Sequence, residues 1–160
     1  MLVFPKQSGC LARFGNPSAQ GWGAKNVTRV PVPWAMRMGD IPIASIKINK
    51  IAAGSLTRVL AAIWETCGHS QTSISNAHCD CFSGDWAIRP IRGGHTPSMH
   101  SFALALDFDA AHNPLGAPDG KTFFHAGSQI VRAFKAEGWI WGGDWTGRRD
   151  AMHFQAATVG

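Results

Sequence analysis

The feature that most constrains this chain is a histidine and an aspartate seven residues apart, His100 and Asp107, answered by Asp150 and His153. Two imidazoles and one carboxylate form a three-ligand set that leaves a divalent zinc ion an open position for water, unlike a closed four-ligand structural site. A further carboxylate beside that position can take a proton, the arrangement used in metal-assisted hydrolysis. For these side chains to meet, the backbone must obey two conditions. On one straight strand, seven residues would send His100 and Asp107 to opposite faces, so the chain must turn near Ser101-Phe102 before a strand begins. His153 must then arrive on an adjacent strand, with Asp150 curling back from the preceding turn.

The surrounding pattern fits. Ala103 to Asp109 alternates, with Leu104, Leu106 and Phe108 on one side and Ala103, Ala105, Asp107 and Asp109 on the other. The small alanines leave room for a cleft on the aspartate side. Met152 to Gln155 and Trp139 to Trp141 read as two closing strands, and Ile41 to Ile51 as another. Leu56, Val59, Leu60, Ile63, Trp64 and Cys67 recur at helical steps, predicting a helix over 56–67 with Ser55 as its N-cap and Gly68 as its stop. A second helix is expected over about 124–136. Residues 1–35 read as an irregular N-terminal segment, because Pro31, Pro33 and several glycines punctuate it. Residues 69–84 read as a polar loop, and Trp86 to Ile91 as a short extended piece. The expected architecture is α+β, a small antiparallel sheet flanked by helices, in a single domain over 1–160 with its chemistry between 86 and 155.

Composition narrows the partners. With 45% hydrophobic residues in 160, the chain can bury a core without help from disulfides. A net charge of +5 favours anionic partners. The cations are scattered rather than arrayed in a stripe, which argues against nucleic acid. No apolar run is long enough for membrane insertion, and the first residues lack a signal-peptide pattern, so a cytosolic product made without an export signal is expected. Cys67, Cys79 and Cys81 lie near His69 and His78 in sequence. Free thiols, a disulfide and a second zinc site all remain open, the last weakened by the tight Cys79-x-Cys81 spacing. Asp144 reads as a turn residue, Ser98 as a backbone-bonding residue, and Trp139, Trp141 and Trp145 as core and cleft wall. His112 belongs to a turn, and His69, His78, His95 and His125 read as surface or loop histidines.

The motif from Ser98 through His100 to Asp107, with Asp150 and His153 downstream, resembles the VanY-like metallopeptidases that cleave peptidoglycan peptides and share a Hedgehog-type zinc fold. Trp141-Gly-Gly-Asp-Trp145, followed by Asp150, His153, Phe154 and Gln155, is similar to the phage endolysin branch of L-alanyl-D-glutamate endopeptidases. Arg89-Pro-Ile-Arg-Gly93 resembles the family's arginine segment. The resemblance implies that His100, Asp107 and His153 hold Zn2+, that Asp150 is the general base, and that Arg89 orients substrate and steadies negative charge, with Arg92 as the substitute. It implies a monomeric enzyme acting on peptidoglycan stem peptides at the L-Ala–D-Glu bond. Two alternatives are a D-Ala-D-Ala carboxypeptidase and a zinc-containing binding module without turnover. One departure is Ala103 where the family has glycine, which is expected to add a methyl group beside the cleft.

Overall fold

The computed structural model describes residues 3–91 and 93–160. In chain order it contains α1 (Cys10–Phe14), α2 (Trp22–Asn26), β1 (Val27–Met38), β2 (Ile41–Asn49), α3 (Ala53–Thr66), α4 (Gln71–Asn76) and β3 (Phe82–Gly84). These are followed by β4 (Ala105–Phe108), α5 (Gln129–Ala136), β5 (Ile140–Trp141) and β6 (His153–Gln155). Strands β1 and β2 form an antiparallel hairpin, and the other four form an antiparallel sheet in the order β3-β4-β6-β5. The class is α+β with small antiparallel sheets and several helices, as the sequence predicts.

Several local expectations need correction. The supposedly irregular N-terminal segment contains two short helices and most of the long strand β1. Val30, Trp34 and Met36 turn inward and are buried, so the strand has a core face despite its prolines. Pro31 stands opposite Ser45, the register shifts between Pro31 and Met36, and Pro33 falls inside that irregularity. A proline removes a ladder donor, and an edge strand with a bulge is where that loss is tolerated. Residues 69–84 carry α4 and β3 rather than a plain loop, with the Ser70 hydroxyl accepting from the Ser73 amide at 3.2 Å as a helix cap. Residues 86–91 form no strand beyond a single bridge from Pro90 to Pro97.

Helix α3 begins at Ala53, so Ser55 lies inside it and is not its cap. The Ser55 hydroxyl is buried and accepts the Trp139 indole N–H at 2.9 Å. At the other end Gly68 adopts φ +63°, the left-handed conformation that a helix stop of this kind requires. Helix α5 begins at Gln129, later than expected; upstream of it the Phe124 amide donates to the Asn113 side-chain oxygen at 2.8 Å.

The four-stranded sheet has two chemically different faces. Leu106, Phe108 and Phe154 are fully buried, and Phe108 and Phe154 pack on Phe134 of α5, Phe154 stacking on it with ring centroids 4.4 Å apart. Each such buried side chain contributes roughly 1.5–3 kcal/mol of hydrophobic stabilisation. That face holds the sheet together and lets the opposite one carry polar groups whose pairing is chemically useful rather than stabilising.

Candidate metal centre and cleft

The polar face is set by strand register. Asp107 stands directly opposite His153, and Ala105 opposite Gln155, across the β4-β6 pairing. His100 reaches the same place through the required turn. The Ala103 amide donates to the His100 carbonyl at 3.1 Å, and Ala103 takes φ +54°, which reverses the chain before β4 starts. Asn49, at the end of β2, fixes that turn: its amide donates to the Ala103 carbonyl at 2.7 Å, and its side chain to the Phe102 carbonyl at 3.1 Å. Ala103 is fully buried and does not line the cleft, so its methyl group does not narrow it. Its cost is the left-handed backbone, which glycine would adopt without strain.

The two imidazoles face one another edge to face with centroids 5.2 Å apart, and each approaches the carboxylate between them. His100 Nε2 lies 3.2 Å from Asp107 Oδ2, and His153 Nδ1 lies 3.2 Å from Asp107 Oδ1. Their other ring nitrogens determine what these atoms can do. His100 Nδ1 lies 2.9 Å from the Asp85 carbonyl, an acceptor only, so Nδ1 carries the proton and Nε2 a lone pair. For His153, Nε2 lies 2.9 Å from Gln155 Oε1. The Gln155 amide nitrogen is already committed as donor to the Ala157 carbonyl and Gln7 Oε1, so its oxygen must accept from His153. The lone pair of His153 is therefore on Nδ1. With both rings neutral, Nε2 of His100, Nδ1 of His153 and the Asp107 carboxylate are acceptors pointed at one another.

Such a set is suited to holding a cation between its members. His100 Nε2 is buried and has no hydrogen-bond partner, as expected of a lone pair facing a carboxylate oxygen. The candidate ligand atoms lie within 4.8 Å of one another. Nitrogen and oxygen donors of this kind suit zinc, and outer partners such as the Asp85 carbonyl and Gln155 are what hold metal-binding imidazoles in orientation. The residues present fit the ion. The charge balance agrees. Burial pushes the Asp107 carboxyl up, but the two flanking imidazoles outweigh it and hold the group below the ordinary carboxylate range. Burial pushes His153 down, and Asp107 more than reverses this, so the imidazole retains a proton above its usual range.

A cleft of about 320 Å³ opens over this centre, lined by Arg89, Ser98, Trp145, Arg148, Asp150 and Met152 among others. Asp150 sits in the turn before β6, where its carbonyl accepts the His153 amide at 3.2 Å. Its buried Oδ1 has no hydrogen-bond partner, and burial raises its carboxyl above the ordinary range despite the nearby imidazoles. An unpartnered carboxylate oxygen beside a cation site is positioned to accept a proton. Trp145 covers His153 at a centroid distance of 5.3 Å, with its indole N–H also buried and unpartnered.

The structure thus brings Arg89, His100, Asp107, Asp150 and His153 into one cleft. Arg92 lies outside the described residues. Asp144 pairs with Lys135 at 2.7 Å and does not line the cleft. Ser98 approaches the Ser101 hydroxyl at 3.5 Å instead of bonding backbone through its side chain. The four cysteines are free thiols. Burial pushes Cys10 up to about 11 and raises Cys67, Cys79 and Cys81 as well, favouring the neutral thiol.

Sequence reasoning missed Asp85, Asn49 and Arg148. Asp85 acts on His100 through its backbone carbonyl, which leaves no residue-type signal, and Asn49 acts through its amide and a side chain whose target is distant in sequence. It also gave Gln155 no role, although Gln155 follows His153 by two residues on a strand and must share its face. His78 and His112 are not isolated either: both contact Asp109.

Residues 92–156 match the model of a peptidase family described as D-alanyl-D-alanine carboxypeptidase. The matched stretch is less than half of the chain, and it contains His100, Asp107, Asp150 and His153. Neither the curated proteins nor the solved structures gave a match.

Proposed function

We propose that this protein is a zinc-dependent peptidoglycan hydrolase of the endolysin type, cleaving the L-Ala–D-Glu amide of stem peptides. The observation that carries this reading is the convergence of three lone-pair donors, on His100, Asp107 and His153, beneath a cleft that also presents the unpartnered Oδ1 of Asp150. When bound there, zinc supplies Lewis acidity toward a carbonyl and acidifies water. The chain's own residues do the rest. Asp107, His100 and His153 fix the ion's position. Asp150 accepts the proton of the attacking water at Oδ1 and returns it to the leaving amine. Trp145 and Met152 exclude bulk solvent from one side.

Arg89 and Arg148 put positive charge on the cleft wall. D-Glu in a stem peptide is joined through its side-chain carboxyl, so its α-carboxylate is free one residue past the scissile bond. A guanidinium on the cleft wall meets that charge and orients the amide toward Asp150. A C-terminal D-Ala presents a carboxylate at the same position. The D-Ala-D-Ala carboxypeptidase reading is therefore the serious competitor, and the description of the matching family favours it.

The deciding experiment digests purified peptidoglycan with zinc-loaded protein and identifies the fragments by mass spectrometry. New glutamate amino termini are expected. Free D-alanine without them would replace the proposal with the carboxypeptidase, and no cleavage at all would leave a binding module. Unchanged hydrolysis by Asp150→Ala would remove Asp150 from the chemistry.

A further inference from the structure

We infer that His78, Asp109 and His112 form a second divalent-metal site, structural rather than catalytic, for a first-row ion of the zinc class. None of the three lines the cleft. Asp109 follows β4 directly, two residues beyond Asp107, and is buried with 3% exposure. Its two carboxylate oxygens are divided between two imidazoles: Oδ2 lies 2.6 Å from His78 Nδ1, and Oδ1 lies 2.8 Å from His112 Nδ1. The candidate ligand atoms all fall within 4.8 Å of one another. A carboxylate held between two histidines is the same donor set as at the cleft, built from a different part of the chain.

The site is constructed from outside as well. The ring of Phe123 lies flat on His78 at 3.5 Å, and His112 meets His78 edge to face at 4.8 Å. Asp109 is anchored by its amide donating to the Cys81 carbonyl at 2.8 Å and by its carbonyl accepting Asn113 Nδ2 at 2.9 Å. Both His78 and Asp109 take left-handed backbone conformations, at φ +58° and +49°, an uncommon choice for residues other than glycine.

Without metal, each Nδ1–H donates to Asp109. To bind an ion, the ring proton of each histidine moves to Nε2 and the freed Nδ1 lone pair turns to the metal. Zinc bonds of 2.0–2.1 Å in tetrahedral geometry space the donors about 3.3 Å apart, so His112 must draw back by roughly 0.5 Å and His78 by roughly 0.7 Å. His112 has the room, its side chain being 60% exposed. Two nitrogens and one oxygen suit zinc, cobalt or nickel, and solvent can complete the shell. Such an ion would join the connection between α4 and β3, which bears His78, to the segment after β4, and so brace the strand that carries Asp107.

The test uses the full chain, stripped with a chelator, re-equilibrated with zinc alone and assayed for bound metal. His112→Ala removes a largely exposed side chain and should leave the fold intact, as circular dichroism checks. It is expected to retain one equivalent of zinc fewer than the parent while peptidoglycan hydrolysis is maintained. Cobalt gives a second readout that is independent of activity. His153→Ala should keep a cobalt absorption band that disappears when His112→Ala is added. Equal zinc content in the parent and His112→Ala, or a cobalt band in His153→Ala that survives the added substitution, would overturn the inference. Loss of hydrolysis in every protein would count against the proposed function and leave the metal count unaffected.

Discussion

Gly142→Ala tests how tightly the proposed base is positioned. Gly142 opens the turn that carries the chain from β5 toward Asp150, and its carbonyl accepts the Asp150 amide at 2.9 Å. A methyl group at 142 would sit 2.4 Å from the Asp150 carbonyl oxygen and 3.1 Å from Asp150 Cβ. Ordinary contact between carbon and oxygen is about 3.3 Å, so Asp150 must retreat by close to an ångström. The obstacle is backbone, which cannot swing aside as a long side chain would. A displacement of about 1 Å in a catalytic group costs on the order of a hundredfold in rate. Of the proposed ligands, His100 and Asp107 lie outside this turn; His153 donates its amide to the displaced Asp150 carbonyl but is held separately by its pairing opposite Asp107 in β4-β6. We therefore expect Gly142→Ala to lower kcat about a hundredfold while zinc content stays at the parent value. Release of soluble stem-peptide fragments gives the rate, and atomic absorption gives the metal. A variant with parental kcat, or one whose lost activity follows lost zinc, would refute the reasoning. The neighbouring Gly143 has a different reason to be glycine: a methyl group there would lie 2.1 Å from the Trp141 ring. Together these contacts give the Trp141-Gly-Gly-Asp-Trp145 motif a steric explanation.

Three other perturbations bear on the same structure. Gln155→Ala removes the acceptor that fixes His153 as an Nδ1 ligand, and zinc affinity should fall about 10–100-fold in a chelator competition, with the fold retained. Arg149 is buried and donates to the Gly143 carbonyl, the Ala117 carbonyl and the Thr122 hydroxyl, so Arg149→Ala should cost about 2–4 kcal/mol, read as a Tm lowered by roughly 5–15 °C. In metal-stripped protein, the contribution of His153 is present below its ordinary value of 6.5 and is lost as pH rises through its raised folded value. Asp107 works oppositely, its contribution being present above 3.8 and lost as pH falls toward its depressed value. Asp150, raised by burial, stabilises below 3.8 and loses that contribution as pH rises. Melting with chelator between about pH 5 and pH 9 should therefore show Tm falling toward alkaline pH, and added zinc should abolish the fall by taking the proton's place. A chelated protein whose Tm rises over that range would contradict this balance.

What the sequence made legible was whatever depends on local periodicity. The alternation around Asp107, the helical spacing from Leu56 to Ile63 and the short closing strands all appear at the expected places. The turn between His100 and β4 was legible for a different reason, since the three proposed ligands could not otherwise meet. What stayed hidden depends on partners distant in the chain. β1 was obscured by two prolines whose harmlessness rests on an irregular edge pairing. Asp85 holds His100 through its carbonyl, which any residue type possesses, and the Asn49 side chain reaches a carbonyl 53 residues away. His78 and Asp109 are 31 residues apart and on no common element, so only the folded chain brings them together.

The most direct test of the central claim is the position of the metal in a crystal, located by anomalous diffraction at the zinc edge. One peak is expected within about 2.0–2.2 Å of His100 Nε2, His153 Nδ1 and an Asp107 carboxylate oxygen, with a vacant coordination position facing Asp150. A crystal grown with zinc that shows no peak among these three side chains, or one bound through His153 Nε2, would contradict the account.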